Sequence, residues 1–190
     1  MLKKVFYWLI GNQGQSEIMY IQGKNIILRN KKIEDVKNDF IWRTNEELSR
    51  LDATSPIKLS IEEFRRYSQQ EIDFPSMSSV RLAIDTIDGE HIGNIMYYDI
   101  DIRKSQAELG IMLGKEYWGK GYGLEALLLL INHIFSKTSI KRIYLHTLDW
   151  NLRAQKAFKK AGFLMKDKID RGKQEFILME VLKENWTNIE

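Results

Sequence analysis

Apolar and polar positions along the chain predict a series of strands interrupted by helices. Residues 25–30 (NIILRN) read as a strand, and residues 33–48 place Ile33, Val36, Phe40 and Ile41 at helical spacing with Trp42 beside that face. Ser60 and Glu63 have the spacing of a capping box and predict a second helix through Tyr67. Residues 80–87 and 91–100 flank Asp88-Gly89, a strong hairpin signal. Residues 106–113 form the next strand, and residues 122–136 a helix apolar almost all round, hence largely buried. A strand at 141–148 follows, and residues 163–169 and 175–182 close the chain as a hairpin around Arg171-Gly172-Lys173. Pro56 and Pro75 fall in connections, and no internal repeat or low-complexity segment is present.

The stretch LGIMLGKEYWGKGYGLEALL, residues 109–128, carries the most specific local pattern. A strand runs into a tight loop with glycines at 119, 121 and 123, and a helix follows. Glycine adopts positive φ and lets backbone approach a ligand closely. A helix opening inside such a loop presents unpaired N–H groups and the positive end of its dipole, which suits a phosphate or diphosphate. Spacing separates the options. A Walker A loop needs GxxxxGK followed by Ser or Thr, which is absent; the dinucleotide fingerprint needs a third glycine where the chain has Leu124. A nucleotide-binding protein and a purely structural turn stay open on this motif alone.

A second motif follows the strand at 141–148. Asn151 is suited to cap a helix and Gly162 to end it, and between them Ala154, Ala157, Phe158 and Ala161 share one face. With EYWGKGYG, EAL and NLRAQKAFKKAGF in this order, the chain resembles the GNAT superfamily of acyl-CoA-dependent N-acyltransferases. The resemblance is strongest over these motifs and extends across residues 26–182. Within the superfamily it looks most like the branch of ribosomal-protein alanine acetyltransferases and related small-amine acetyltransferases.

The resemblance implies an α/β (α+β type) fold: a mixed, mostly antiparallel, twisted sheet flanked by helices, with a splayed strand pair holding acetyl-CoA as cosubstrate. The splayed strands would be 106–113 and 141–148. Backbone groups of Ile111, Met112 and Leu113 would face the pantetheine arm like an added strand. Main-chain amides of Trp118, Gly119, Lys120, Gly121, Tyr122, Gly123 and Leu124 would bind the diphosphate. Asn151 would contact the arm, Lys156 would reach a phosphate, and Phe158 would pack at the sulfur end. Two positions depart from the pattern. Trp118 stands where Gln or Arg is usual, and Phe158 stands where many members carry a Tyr that protonates the departing thiolate. A thiol of pKa near ~8.5 leaves tolerably well without that acid.

The chemistry implied is direct attack of a neutral primary amine, from a small molecule or a protein N-terminus, on the acetyl thioester. Deprotonating an alkylammonium of pKa ~10.4 at neutral pH costs about 4–5 kcal/mol, an α-amine of pKa ~8 only about 1. A base is therefore needed. Glu108, on the strand lining the expected reaction centre, is the first candidate, and His146 on the neighbouring strand is the reserve. The acceptor cleft in this superfamily would involve Trp42, Arg43, Thr44, Glu46, residues 51–64 and Phe176.

Composition narrows the surroundings. The chain has 190 residues, 44% hydrophobic, enough for a core without staples, and no cysteine, so disulfides and thiolate metal sites are excluded. Three dispersed histidines predict no metal site, and a net charge of +3 with scattered Lys and Arg predicts no nucleic-acid surface. Residues 25–185 are expected to form one N-acetyltransferase domain, and residues 1–24 an extension. Lys3-Lys4 before Val5-Phe6-Tyr7-Trp8-Leu9-Ile10 resembles a stunted signal peptide, but the apolar run is too short to span a membrane. A cytoplasmic protein, free of membrane and a homodimer, is the expectation. A CoA-binding regulatory module without catalysis is the competing reading, because Phe158 cannot donate a proton.

Overall fold

The computed structural model describes residues 19–172 and 174–187. Strands β1 (Tyr20–Gln22), β2 (Ile26–Asn30), β3 (Val80–Thr86), β4 (His91–Asp101), β5 (Gln106–Leu113), β6 (Arg142–Leu148), β7 (Leu164–Arg171) and β8 (Gln174–Leu182) form one sheet in the order β1-β2-β3-β4-β5-β6-β8-β7. Every neighbouring pair is antiparallel except β5–β6, which is parallel. Helices α1 (Val36–Thr44), α2 (Glu46–Leu51), α3 (Ile61–Asp73), α4 (Tyr122–Lys137) and α5 (Leu152–Lys160) flank it.

The parallel pair requires a crossover, and α4 supplies it. Its Leu127, Leu130, Ile131 and Ile134 are buried in one cluster with Ile26, Leu28, Ile84, Ile95, Ile143 and Met179. Each such side chain contributes roughly 1.5–3 kcal/mol by leaving water. This packing holds the glycine loop, which precedes α4, in fixed register with β5.

Several sequence expectations change. The helix expected over 33–48 is broken: a 3-10 turn at Ile33–Asp35 leads into α1, and Asn45 separates α1 from α2, its side chain accepting the Leu48 N–H. The Ser60–Glu63 capping box forms, and α3 runs beyond Tyr67 to Asp73. An edge strand, β1, pairs with β2 where no strand is predicted; Gly23 beside it lies so close to Glu125 that a Cβ there would sit 2.4 Å from Oε1. Trp42 is 4% exposed and packs against His91 at 5.2 Å between ring centroids, a core position. The basic–apolar stretch at residues 3–10 lies outside the described residues. No helix among the described residues is long and apolar enough to cross a membrane.

Candidate active site

Backbone pairing between β5 and β6 stops early. Gln106, Ala107 and Glu108 pair with Arg142, Ile143 and Tyr144, and beyond them the two strands run on without pairing to each other. On its other side β5 stays paired to β4 as far as Leu113 opposite Gly93. Ile111, Met112 and Leu113 thus present one backbone edge to a gap, and a polar edge of this kind needs a partner.

A cavity of about 370 Å³ opens at this gap. Ile111, Met112 and Leu113 form one wall, and Trp118, Gly119, Gly121, Gly123 and Leu124 form its mouth. Gly119 (φ +74°) and Gly121 (φ +88°) hold the left-handed backbone that turns the chain into α4, and no atom lies within 4 Å of where their Cβ would be. Gly121 caps α4 without a side-chain acceptor, and the first helical bond runs from Glu125 N–H to the Gly121 carbonyl. The amides of Tyr122, Gly123 and Leu124 therefore have no helical acceptor. Lys120 and Tyr122 do not line the cavity with their side chains; Lys120 lies over the Tyr117 ring at 5.4 Å. Tyr117 donates to Glu90 at 2.5 Å, and that bond first of all pushes its phenol up to about 12. Glu125 is turned away, accepting from both the main-chain and side-chain nitrogen of Asn25 at 2.8 Å.

The opposite wall is α5. Asn151, 7% exposed, caps this helix by accepting the Ala154 N–H at 3.2 Å. Gln155 ties α5 to the end of β6 by donating to the carbonyls of Leu148 and Asp149. Arg153, Lys156 and Lys160 line the cavity along one stripe of α5, and Phe158 lines it further in while packing edge-on against Phe163 at 5.9 Å. The 153/156/160 spacing was readable as a basic helix face; Lys160 was nevertheless not among the expected site residues. Leu48, Leu51 and Asp52 of the α2 region complete the lining. Asp52 is exposed and pairs with the Arg43 guanidinium 3.1 Å away.

Glu108 and His146 lie at the point where the strands part, outside the cavity wall. Glu108 is the last residue of β5 paired to β6, and its carboxylate lies 2.7 Å from His146 Nδ1. Both side chains are mostly buried, 13% and 11% exposed. Tyr144 meets the His146 ring edge-on at 5.9 Å. Tyr98, on β4, stands opposite Glu108 in the ladder; burial first, then the negative charges of Glu108, Asp99 and Asp52, holds its phenol well above the usual range. Sequence reasoning did not single out Tyr98, because a lone strand tyrosine gives no signal of what it faces.

A sheet with one parted parallel junction, and a glycine loop beside it opening a buried helix, is the architecture of the GNAT acyltransferases. A family model described as an acetyltransferase (GNAT) domain matches residues 25–164, and the chain belongs to that family. Among curated proteins it is 28% identical over 100 residues to the spermine/spermidine N(1)-acetyltransferase of Bacillus subtilis, a match covering 50% of this chain and 66% of that protein, just under two thirds of its length. Among solved structures, the spermidine N-acetyltransferase of Vibrio cholerae in complex with CoA and spermine superposes with a TM-score of 0.75 at 19% identity, covering 84% of this chain and 96% of that one. A GNAT-family acetyltransferase of Bacillus anthracis gives 0.76 at 14% identity, covering 88% and 100%. These structural likenesses show the shared fold.

Proposed function

We propose that this chain transfers an acetyl group from acetyl-CoA to a small primary amine of the polyamine type. The observation that carries the proposal is the β5 edge at Ile111–Leu113, released from β6 and facing a cavity lined by the glycine loop and the basic stripe of α5. These residues fit the cosubstrate. The open edge matches an amide-rich chain. The free amides of Tyr122, Gly123 and Leu124, with the α4 dipole, match a diphosphate. Arg153, Lys156 and Lys160 supply positive charge, and Phe158 gives an apolar surface at the inner end.

Acetyl-CoA, when bound, supplies an acetyl carbonyl activated as a thioester and a thiolate that can leave. The residues of this chain bind it, orient the acceptor and move protons. The amine nitrogen forms a bond to the carbonyl carbon, the C–S bond breaks with its electron pair going to sulfur, and the amine proton passes to the Glu108–His146 pair. Phe158 offers no proton, so the thiolate departs unassisted at that position.

The choice of a cationic small amine is supported by the polyamine acetyltransferases among the relatives and by the charge of the site. Glu108, Asp99 and Asp52 add negative charge around Tyr98, which stands opposite Glu108 on β4. A protein N-terminus, the acceptor implied by the alanine-acetyltransferase branch, is the second reading; its α-amine needs less help from a base. Thiol release from acetyl-CoA should be followed with spermidine, an alkyl monoamine and a peptide with a free N-terminus. Turnover fastest with spermidine supports the proposal. Turnover with the peptide alone favours the second reading, and tight CoA binding with no turnover on any of the three identifies a non-catalytic module.

A further inference from the structure

His146 makes one polar contact through each ring nitrogen. Its Nδ1 faces Glu108 at 2.7 Å, and its Nε2 lies 3.0 Å from Nη2 of Arg171. A guanidinium has donors only, so Nε2 is the acceptor. The imidazole is then neutral, carries its proton on Nδ1 and donates it to Glu108. Its one available lone pair is on Nε2, pointing away from the carboxylate, and Arg171 occupies it. Arg171 ends β7 at the exposed tip of the β7–β8 hairpin, next to Gly172 (φ +72°), with its guanidinium 5.4 Å over the Phe176 ring.

We propose that Arg171 is an internal stand-in for the acceptor's cationic amine: it fills the His146 lone pair that receives the acceptor proton, and the acceptor must displace it. This inference rests on the reading of the site as an amine acetyltransferase. One lone pair serves one donor, so an Arg171 N–H and an acceptor N–H exclude each other there. Two cations at one nitrogen also repel. Expelling Arg171 is cheap because its side chain is exposed and tethered at a hairpin tip, whereas Glu108 and His146 are held in place by burial.

The arrangement assigns distinct roles to the two candidates from sequence. His146 meets the acceptor, and Glu108 is a positioning residue that fixes the tautomer and ring orientation. An acceptor ammonium gives one proton to Nε2, and its freed lone pair bonds the acetyl carbon. The tetrahedral adduct expels sulfur with the C–S electron pair and loses a second proton as the amide forms. One of the two protons ends on the sulfur and one in solvent, so charge and atoms balance. The hairpin tip then acts on specificity: an acceptor competes well when it is cationic and can replace the guanidinium charge beside Glu108.

The test uses Arg171→Ala and Arg171→Lys in the full chain. With spermidine as acceptor, R171A should lower the amine KM by roughly 3–10-fold, since the fraction of sites open to acceptor rises, while the acetyl-CoA KM stays constant. R171K, which keeps a cationic donor, should stay near the wild type. Independently of turnover, the imidazole 15N spectrum, assigned with His146→Gln, should show His146 as the Nδ1–H tautomer. The Nε2 resonance should move to its unbonded position in R171A. A higher or unchanged amine KM in R171A overturns the proposal, as does an Nε2 resonance that R171A leaves in place. If neither protein acetylates any amine, the acetyltransferase reading itself fails, and the 15N shift still decides whether Arg171 holds the lone pair.

Discussion

The guanidinium of Arg153 stacks on the Trp118 ring, 3.3 Å from its centroid. The same indole donates through Nε1 to the Leu113 carbonyl at 3.0 Å. Trp118 thereby joins the end of β5, the start of the glycine loop and the first turn of α5. Its position is one where the superfamily usually has Gln or Arg, and the tryptophan replaces a polar side chain by a stack that brings its own cation.

Arg153→Ala should weaken acetyl-CoA binding about 5–30-fold, from loss of a cation–π contact worth roughly 0.5–2 kcal/mol together with one cavity charge. Isothermal titration checks this. The thermal midpoint should move little, since Arg153 lies at the cavity and not in the core.

Gly121→Val should abolish measurable acetyl-CoA binding in a protein that still folds. Valine is strained at φ +88°, and its side chain would project into open space at the loop mouth. Gly123→Ala is the control: its Cβ would meet only Leu113 Cδ1 at 3.2 Å, so a loss of only a few-fold is expected. Equal affinities for G121V and the wild type would contradict the glycine loop as the diphosphate site.

Phe158→Tyr restores the phenol common in the superfamily. If thiolate departure does not limit the rate, kcat should change by less than about tenfold, against the roughly 10²–10⁴-fold effect of a required general acid. A larger gain would show that this chain works without an acid it needs.

A buried ionic network lies away from the cavity. Arg29 bonds Asp85 at 2.6 Å and Asp35 at 2.7 Å, Lys31 bonds Asp39 at 2.6 Å, and His91 sits 3.2 Å from Asp39 and 3.3 Å from Asp85. For His91, burial works downward, but the Asp39 hydrogen bond and the nearby Asp85 carboxylate outweigh it, so its pKa is raised. Its contribution to stability is complete below the unfolded value near 6.5 and is lost as pH climbs through the raised one. For Asp35, burial works upward but the Arg29 bond and the Lys31 charge outweigh it, bringing the carboxyl to about 2. That contribution is present above the unfolded value of 3.8 and fades as pH falls toward 2. Urea midpoints should therefore be highest between the two limits. Asp35→Asn should cost about 3–5 kcal/mol, as breaking one partner of a buried pair does, and flatten the acid limb. His91→Gln should flatten the alkaline limb.

Much of this site is legible in the sequence because its elements are marked by hard local signals. Gln106–Leu113 has the predicted bounds, and the helix after Gly121 starts where predicted, because glycine and a dense apolar face leave few alternatives. Asn151 caps its helix as its type and position suggest. What stays hidden depends on neighbours distant in the chain. Asn45 looked like one more helical residue, since a cap is defined by backbone geometry and not by composition. Lys31, Asp35 and Asp39 look like a solvated helix start until Arg29 and Asp85 face them across the sheet. Arg171 reads as turn punctuation, and only the pairing of β8 with β6 brings it to His146.

With only three residue pairs joining β5 to β6, the eight strands amount to a five-strand leaf and a three-strand leaf stitched at one end. Whatever occupies the rest of that seam completes the ladder between them. The thioester arm would then be mortar as well as reagent: hydrogen exchange along Ile111, Met112 and Leu113 should slow on loading, and the two leaves should melt together at a higher temperature than in the empty protein. Occupancy of that seam would then set the mechanical integrity of the two-leaf sheet.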